Sequence, residues 1–304
     1  MLLINKFVEL VQEDKLIREW PECAKELENL VRTLPERDLV FPLLACEAAA
    51  GESEKAIPVS LAWNALHCGV VLLDKVIDRD ELEGFHSYEQ MAALSSGPIF
   101  AAHHILSMLG DPTVSQRAGN ILFQGFFNCA YGQYLDLTQG RQEMQTEQAL
   151  NAYWRMTLLK SGSVYQAGLA AGAASATEAK GLIEALGNYG RAFGVIKQLM
   201  DDCSDILDAD GTLEWTLPVL LYNTAKKSSP LIPMERETLF RLLDGAHIPE
   251  TLAAVVTEWQ HRALESLKPL PSSEAKQKLE NYVTELVFPS EFLSSLGINH
   301  KTLL

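Results

Sequence analysis

Positive charge is what this sequence has least of. Its 25 Lys and Arg stand against 40 Asp and Glu, a formal net charge of −15 over 304 residues. Nucleic acids and anionic membrane surfaces reward clustered Lys and Arg, so neither is expected as the main partner, and a polyanion could be held only through metal. Cysteine is sparse as well. The five (Cys23, Cys46, Cys68, Cys129, Cys203) are odd in number and have no CxxC spacing, which excludes a disulfide framework or a zinc site and favours a reducing, cytoplasmic setting. Glu9 and Glu13 interrupt the opening residues, so no secretory leader is read there, and no uninterrupted apolar run is expected to approach membrane-spanning length. No Ser/Gly/Pro-rich linker, Gly-rich phosphate loop or Ser/His/Asp motif stands out, and the His103-His104 pair has no metal-ligand pattern. Residues 1–304 are read as one domain.

Strand signals are missing too. Apolar residues recur at spacings of three and four almost throughout, without period-two alternation, so the chain is expected to be all-α. Pro and Gly divide it into about a dozen helical segments. The stretches near 58–80, 113–139, 146–173 and 177–208 exceed an average helix of about 11–12 residues and are apolar enough to be central in a bundle.

Carboxylates are what the chain has in unexpected places. Lys197-Gln198-Leu-Met-Asp201-Asp202-Cys-Ser-Asp205 sets three aspartates at i, i+1 and i+4 among Phe193, Val195, Ile196, Leu199, Met200 and Ile206. Ionised groups in apolar surroundings must be paired or bind metal. Side chains four apart share a helical face, so Asp201 and Asp205 converge with Asp202 beside them, an oxygen set that suits Mg²⁺. An earlier cluster repeats the arrangement: Asp74-Lys75-Val-Ile-Asp78 places two carboxylates on one face near a helix C-terminus, where the dipole disfavours them until a cation binds.

These spacings resemble those of the trans-prenyl diphosphate synthases and, more broadly, the class I isoprenoid synthases. The second aspartate motif of that family is matched by Gln198, Asp201, Asp202 and Asp205, following Tyr189-Gly190-Arg191 and Phe193-Gly194. The first is matched by His67, six intervening residues, then Asp74 and Asp78. Gly132-Gln133-x-Leu135-Asp136, Lys160-Ser161-Gly162-Ser163 and Thr216-Leu217-Pro218 fall in the same order, so the likeness spans roughly residues 36–225.

The resemblance implies an all-α, single-domain helical bundle with a central cavity. It also implies three Mg²⁺ ions that join the acidic motifs to an allylic isoprenyl diphosphate. Carried over, Asp74, Asp78, Asp201, Asp202 and Asp205 are the metal residues. Asp74, Asp201 and Lys160 take part in catalysis, and Lys75, Lys160, Lys197, Gln198, Tyr165 and Phe127 lie against substrate. Gly69 and Val70 resemble the small residues that open a deep chain pocket, which points to substrates of fifteen carbons or more. A second copy of the chain is the expected protein partner. Residues 288–304 are expected to close over the site when metal binds.

The departures are one-sided. Lys75 replaces the middle aspartate of the first motif. The family's basic segment for isopentenyl diphosphate is Arg37-Asp38-Leu39-Val40-Phe41-Pro42 here, with Asp38 and Phe41 where cations belong. Leu82-Glu83-Gly84 and Glu214 likewise replace basic residues. A second diphosphate would meet carboxylates where it needs guanidinium forks. The leading expectation is therefore a terpene-synthase-like enzyme that ionises one allylic diphosphate and cyclises or quenches the cation. The alternatives are a prenyltransferase, either an elongating polyprenyl diphosphate synthase or one with an aromatic or peptide acceptor, and a non-catalytic subunit of a heteromeric prenyl synthase.

Overall fold

The computed structural model describes residues 2–33, 36–79, 87–139, 146–208, 215–226, 236–288 and 292, and no strand occurs among them. The helices are α1 (Leu2–Glu13), α2 (Lys15–Arg18), α3 (Pro21–Thr33), α4 (Glu36–Leu39), α5 (Phe41–Ala48), α6 (Ile57–Asp78), α7 (Tyr88–Ser107) and α8 (Pro112–Gln139). They continue with α9 (Thr146–Thr157), α10 (Ser163–Ala176), α11 (Lys180–Asp208), α12 (Leu217–Lys226), α13 (Arg236–Asp244), α14 (Ile248–Leu267) and α15 (Glu274–Thr284). The all-α expectation holds. The chain forms two compact units, Met1–Phe126 with Ala167–Gly187 and Pro269–Leu279, and Phe127–Gln166 with Asn188–Lys268 and Glu280–Leu304.

In the first unit α6 is the central helix. Pro58 opens it, where a missing backbone donor costs nothing, and Arg79 closes it in the left-handed conformation at φ 59°. Its first half is buried nearly all round, including Trp63. The polar side chains there point at backbone: Ser60 donates to Leu39 O at 2.7 Å and Asn64 to Ser60 O at 2.8 Å. With its lead-in turn, the helix over 53–78 contains an 18-residue window of mean hydropathy 1.7 and is long and apolar enough to cross a membrane, though 67% of that window is buried within the protein. Pro58, Ser60, Asn64 and His67 interrupt its apolar residues, and a mostly buried core helix has a composition close to that of a membrane span.

α7 packs along α6. It starts at Ser87, whose hydroxyl accepts from Gln90 N at 3.3 Å. Gly69 permits the approach: a Cβ there would lie 2.7 Å from Ile99 Cγ1 and 2.8 Å from Ser95 O. Gly69, expected beside a chain pocket, thus lies where α6 and α7 pack closely, and Val70 beside it is half-buried. Asp14 secures the α1–α3 turn. Its Oδ1 accepts from Ile17 N at 3.0 Å and caps α2, while Oδ2 meets Nε2 of His104 on α7 at 2.9 Å.

In the second unit, the stretch read as one helix near 146–173 is broken in register. Residues Leu158–Gly162 form a turn of π-helix between α9 and α10. Such a turn inserts one residue into the ladder and is frequent at functional sites. The segment expected to act as a lid lies outside the described residues except for Phe288 and Phe292. Both of those are buried, and the Phe292 ring sits 5.8 Å from Phe240.

Candidate diphosphate and metal site

The π turn carries Lys160. Its Nζ lies 2.9 Å from Asp136 Oδ2 on α8, in a partly buried pair. α8 comes close enough for this because residue 132 is glycine; a Cβ there would overlap the backbone nitrogen of Lys160. Ser161, next in the turn, donates to Gln198 Oε1 at 2.5 Å, so the turn is tied to α11 as well.

On α11 the three aspartates divide by face. Asp201 and Asp205 are exposed, one turn apart, while Asp202 is 3% exposed. Asp202 accepts from Gln198 Nε2 at 3.0 Å on Oδ1, and from Tyr153 Oη at 2.6 Å and Leu217 N at 2.8 Å on Oδ2. Burial pushes its carboxyl up to about 6, against the pull of those three donors. Burial, with the neighbouring Asp202 charge, likewise drives the Tyr153 phenol well above its ordinary value. Both Asp202 oxygens are thus engaged by protein donors. Gln198, expected against substrate, spends both ends of its amide on Ser161 and Asp202.

Tyr165 is buried, with its ring 5.2 Å from that of Phe193. Phe127, expected against substrate, is 71% exposed on α8. Lys197 is half-buried. Sequence reasoning missed Tyr153 altogether, although it stands only seven residues before Lys160.

In the first unit, Asp74 and Lys75 are half-buried and Asp78 is exposed, all in the closing turns of α6. Tyr88 Oη donates to Arg79 O at 2.8 Å and the Arg79 guanidinium lies 5.7 Å from the Tyr88 ring centre, which fixes the residue after Asp78. Asp38 and Phe41, where a second diphosphate would need cations, are 3% and 0% exposed and belong to the core. Leu82-Glu83-Gly84 and Glu214 lie outside the described residues.

The donor chemistry fits magnesium. Among the described residues no three His, Cys, Asp or Glu side chains are grouped to hold a metal ion. Each acidic motif offers a pair of carboxylates one turn apart, and Mg²⁺ takes one or two carboxylates, keeps several waters and leaves room for phosphate oxygens. A closed protein cage is absent from these residues, and Mg²⁺ does not require one.

This is an all-α fold of the isoprenoid synthase kind. A geranylgeranyl pyrophosphate synthetase from the archaeon Geoglobus acetivorans shares it with a TM-score of 0.80 at 20% identity, over 94% of this chain and 96% of that one. A polyprenyl synthase from Caulobacter crescentus CB15, solved with calcium and isoprenyl diphosphate, shares it with a TM-score of 0.73 at 18% identity, over 92% of each chain. Residues 37–214 match the polyprenyl synthetase family model, and the chain belongs to that family. A curated relative, a geranylgeranyl diphosphate synthase of Methanosarcina mazei, is 25% identical over 258 residues, 78% of this chain and 76% of the relative.

Proposed function

We propose that this protein is a diphosphate-releasing enzyme of the prenyltransferase type that acts on an allylic isoprenyl diphosphate with Mg²⁺. One observation carries the reading: the outward carboxylates Asp201 and Asp205 and the lysine turn at 158–162 belong to one hydrogen-bonded framework through Ser161 and Gln198. A cation-binding face and an anion-binding cation are thereby offered together. Mg²⁺, when bound, offsets the charge that builds on a departing diphosphate. Lys160 adds a fixed ammonium to the same leaving group, and Asp136 holds that ammonium in place until then. The relatives named as geranylgeranyl and short-chain isoprenyl diphosphate synthases favour transfer of the allylic group to an acceptor over cyclisation.

A second reading, cyclisation or quenching of the cation within one substrate, is favoured by the burial of Asp38 and Phe41. Reversing one charge on an exposed loop would be cheap, but Asp38 and Phe41 are built into the core and neither offers a cation to a second diphosphate. Product analysis separates the two. Purified protein is incubated with Mg²⁺ and geranyl, farnesyl or geranylgeranyl diphosphate, with and without isopentenyl diphosphate. A longer diphosphate formed only when isopentenyl diphosphate is present supports elongation. Hydrocarbon or alcohol formed without it supports the second reading, and no diphosphate release from any substrate sinks both.

A second copy of the chain is the protein partner of this reading. On α8, Phe127, Tyr131 and Tyr134 are exposed uncharged residues one turn apart, with the Arg155 guanidinium 5.5 Å from the Tyr131 ring centre. Phe127 and Tyr134 are 71% and 62% exposed, and aromatic stripes of this kind mark protein contacts.

A further inference from the structure

We propose that Asp202, Tyr153 and Gln198 form a joint that holds the lysine turn in register with Asp201 and Asp205, so that Asp202 and Tyr153 are positioning residues that act without touching metal. The inference rests on the diphosphate reading above and adds to it the coupling between the anion-binding and cation-binding parts of the site.

Three elements meet at one buried carboxylate. Tyr153 reaches it from α9, Gln198 from the preceding turn of α11, and the Leu217 N–H from the first residue of α12. A carboxylate with both oxygens engaged cannot rotate without breaking one of these bonds, and a buried one left with a missing donor loses far more than the bond itself is worth in water. The joint therefore has one geometry. Gln198 passes that geometry on. Its oxygen takes the Ser161 hydroxyl and its nitrogen faces Asp202, so turning the amide over would set oxygen against carboxylate. The amide thus has a single orientation, and Ser161 is held by it.

Ser161 adjoins Lys160 inside the π turn. The backbone of that turn is thus fixed from α11, while the Lys160 tip is fixed from α8 by Asp136. Asp201 stands one residue from Asp202 on the same helix, so any turn of α11 that moves the outward carboxylates must also move Ser161. The π geometry supplies the one extra residue that brings Ser161, and not its neighbour, to Gln198.

The test uses the full-length protein and four variants: Tyr153→Phe, Ser161→Ala, Ser161→Thr and Asp202→Asn. The first readout is the Mg²⁺ concentration that gives half-maximal thermal stabilisation in the presence of inorganic pyrophosphate. The second is kcat with the preferred allylic diphosphate. Tyr153→Phe and Ser161→Ala should each raise the Mg²⁺ requirement by about fivefold to tenfold and lower kcat, as loss of one hydrogen bond in a charged network predicts. Ser161→Thr keeps the hydroxyl and should restore both values towards wild type. The double variant of Tyr153→Phe and Ser161→Ala should fall short of the product of the single effects, because both act through one carboxylate. Ser161 is only half-buried, so its two variants remain readable even if Tyr153→Phe fails to fold. The proposal is overturned if Asp202→Asn abolishes the Mg²⁺ response while Tyr153→Phe and Ser161→Ala match wild type, since Asp202 is then a ligand. It is equally overturned if Ser161→Ala and Ser161→Thr are indistinguishable. A wild-type protein that neither responds to Mg²⁺ with pyrophosphate nor releases diphosphate removes the functional reading and this coupling with it, an outcome distinct from a responsive wild type with unaffected variants.

Discussion

Gly69 contributes no side chain, yet the packing of α6 on α7 depends on it. A methyl group there would press on Ile99 and on the carbonyl of Ser95, and a backbone carbonyl inside a helix cannot swing away as a side chain can. Gly69→Ala should therefore destabilise the protein by about 1–3 kcal/mol, the usual cost of overpacking, with product length unchanged. Chemical denaturation and product analysis check both halves; unaltered stability with a shifted product length would favour the chain-pocket assignment. A small residue serves equally to open a cavity and to admit a neighbouring helix, and Ile99, the neighbour in question, stands thirty residues away in the sequence. Asp202 is a parallel case. Its offset of one residue from Asp201 is legible as a change of helical face, but the donors waiting on that face belong to α9 and α12 and leave no mark near it.

Among the elements, α2 shows how much one side chain can secure. Asp14 caps a four-residue helix and meets His104 on α7. Burial alone would raise its carboxyl, but the Ile17 N–H and the His104 hydrogen bond and charge outweigh burial and hold it below the usual 3.8. A lowered carboxylate contributes stability above its ordinary value and loses it as pH falls through the folded one. Asp14→Ala should cost about 1–2 kcal/mol at pH 7, and the difference from wild type should shrink below about pH 4. Thermal melts of both proteins at pH 7 and pH 3.5 would show it; a gap that widens in acid would contradict the assignment. Helix existence was the easiest element-scale feature to read, since Pro58, Gly110-Asp111-Pro112 and the three-and-four spacing mark α6, α8 and α11 to within a few residues. The π turn was not readable. One added residue in an apolar helix changes its phase by about 100° without changing its composition.

For the whole molecule, association is the property most exposed to test. If the aromatic stripe on α8 is covered by a second copy, Phe127→Glu should convert the protein to a monomer with little loss of helix content, because Phe127 contributes little to the protein's own core. Light scattering after size exclusion would check it, and a variant with the mass of wild type would rule this face out. The family was legible in the sequence because its carboxylates and glycines keep their order across most of the chain. The acceptor was not, since Asp38 and Phe41 report what is missing from one side of the chemistry and not what replaces it. The hydrophobic helix over 53–78 matters beyond the finished fold. Emerging from a ribosome, it carries enough hydropathy to pass for a segment destined for lipid. Among its packing partners, α3 and α5 are already synthesised at that moment and α7 is the next helix to appear, while α10, whose Gly168 lies against Trp63, follows much later. The order of synthesis thus lets the chain cover part of its most lipid-like segment early, and a mutation that delays docking of α7 is expected to show itself first as aggregation or membrane capture of the nascent protein, before any change in the stability of molecules that fold.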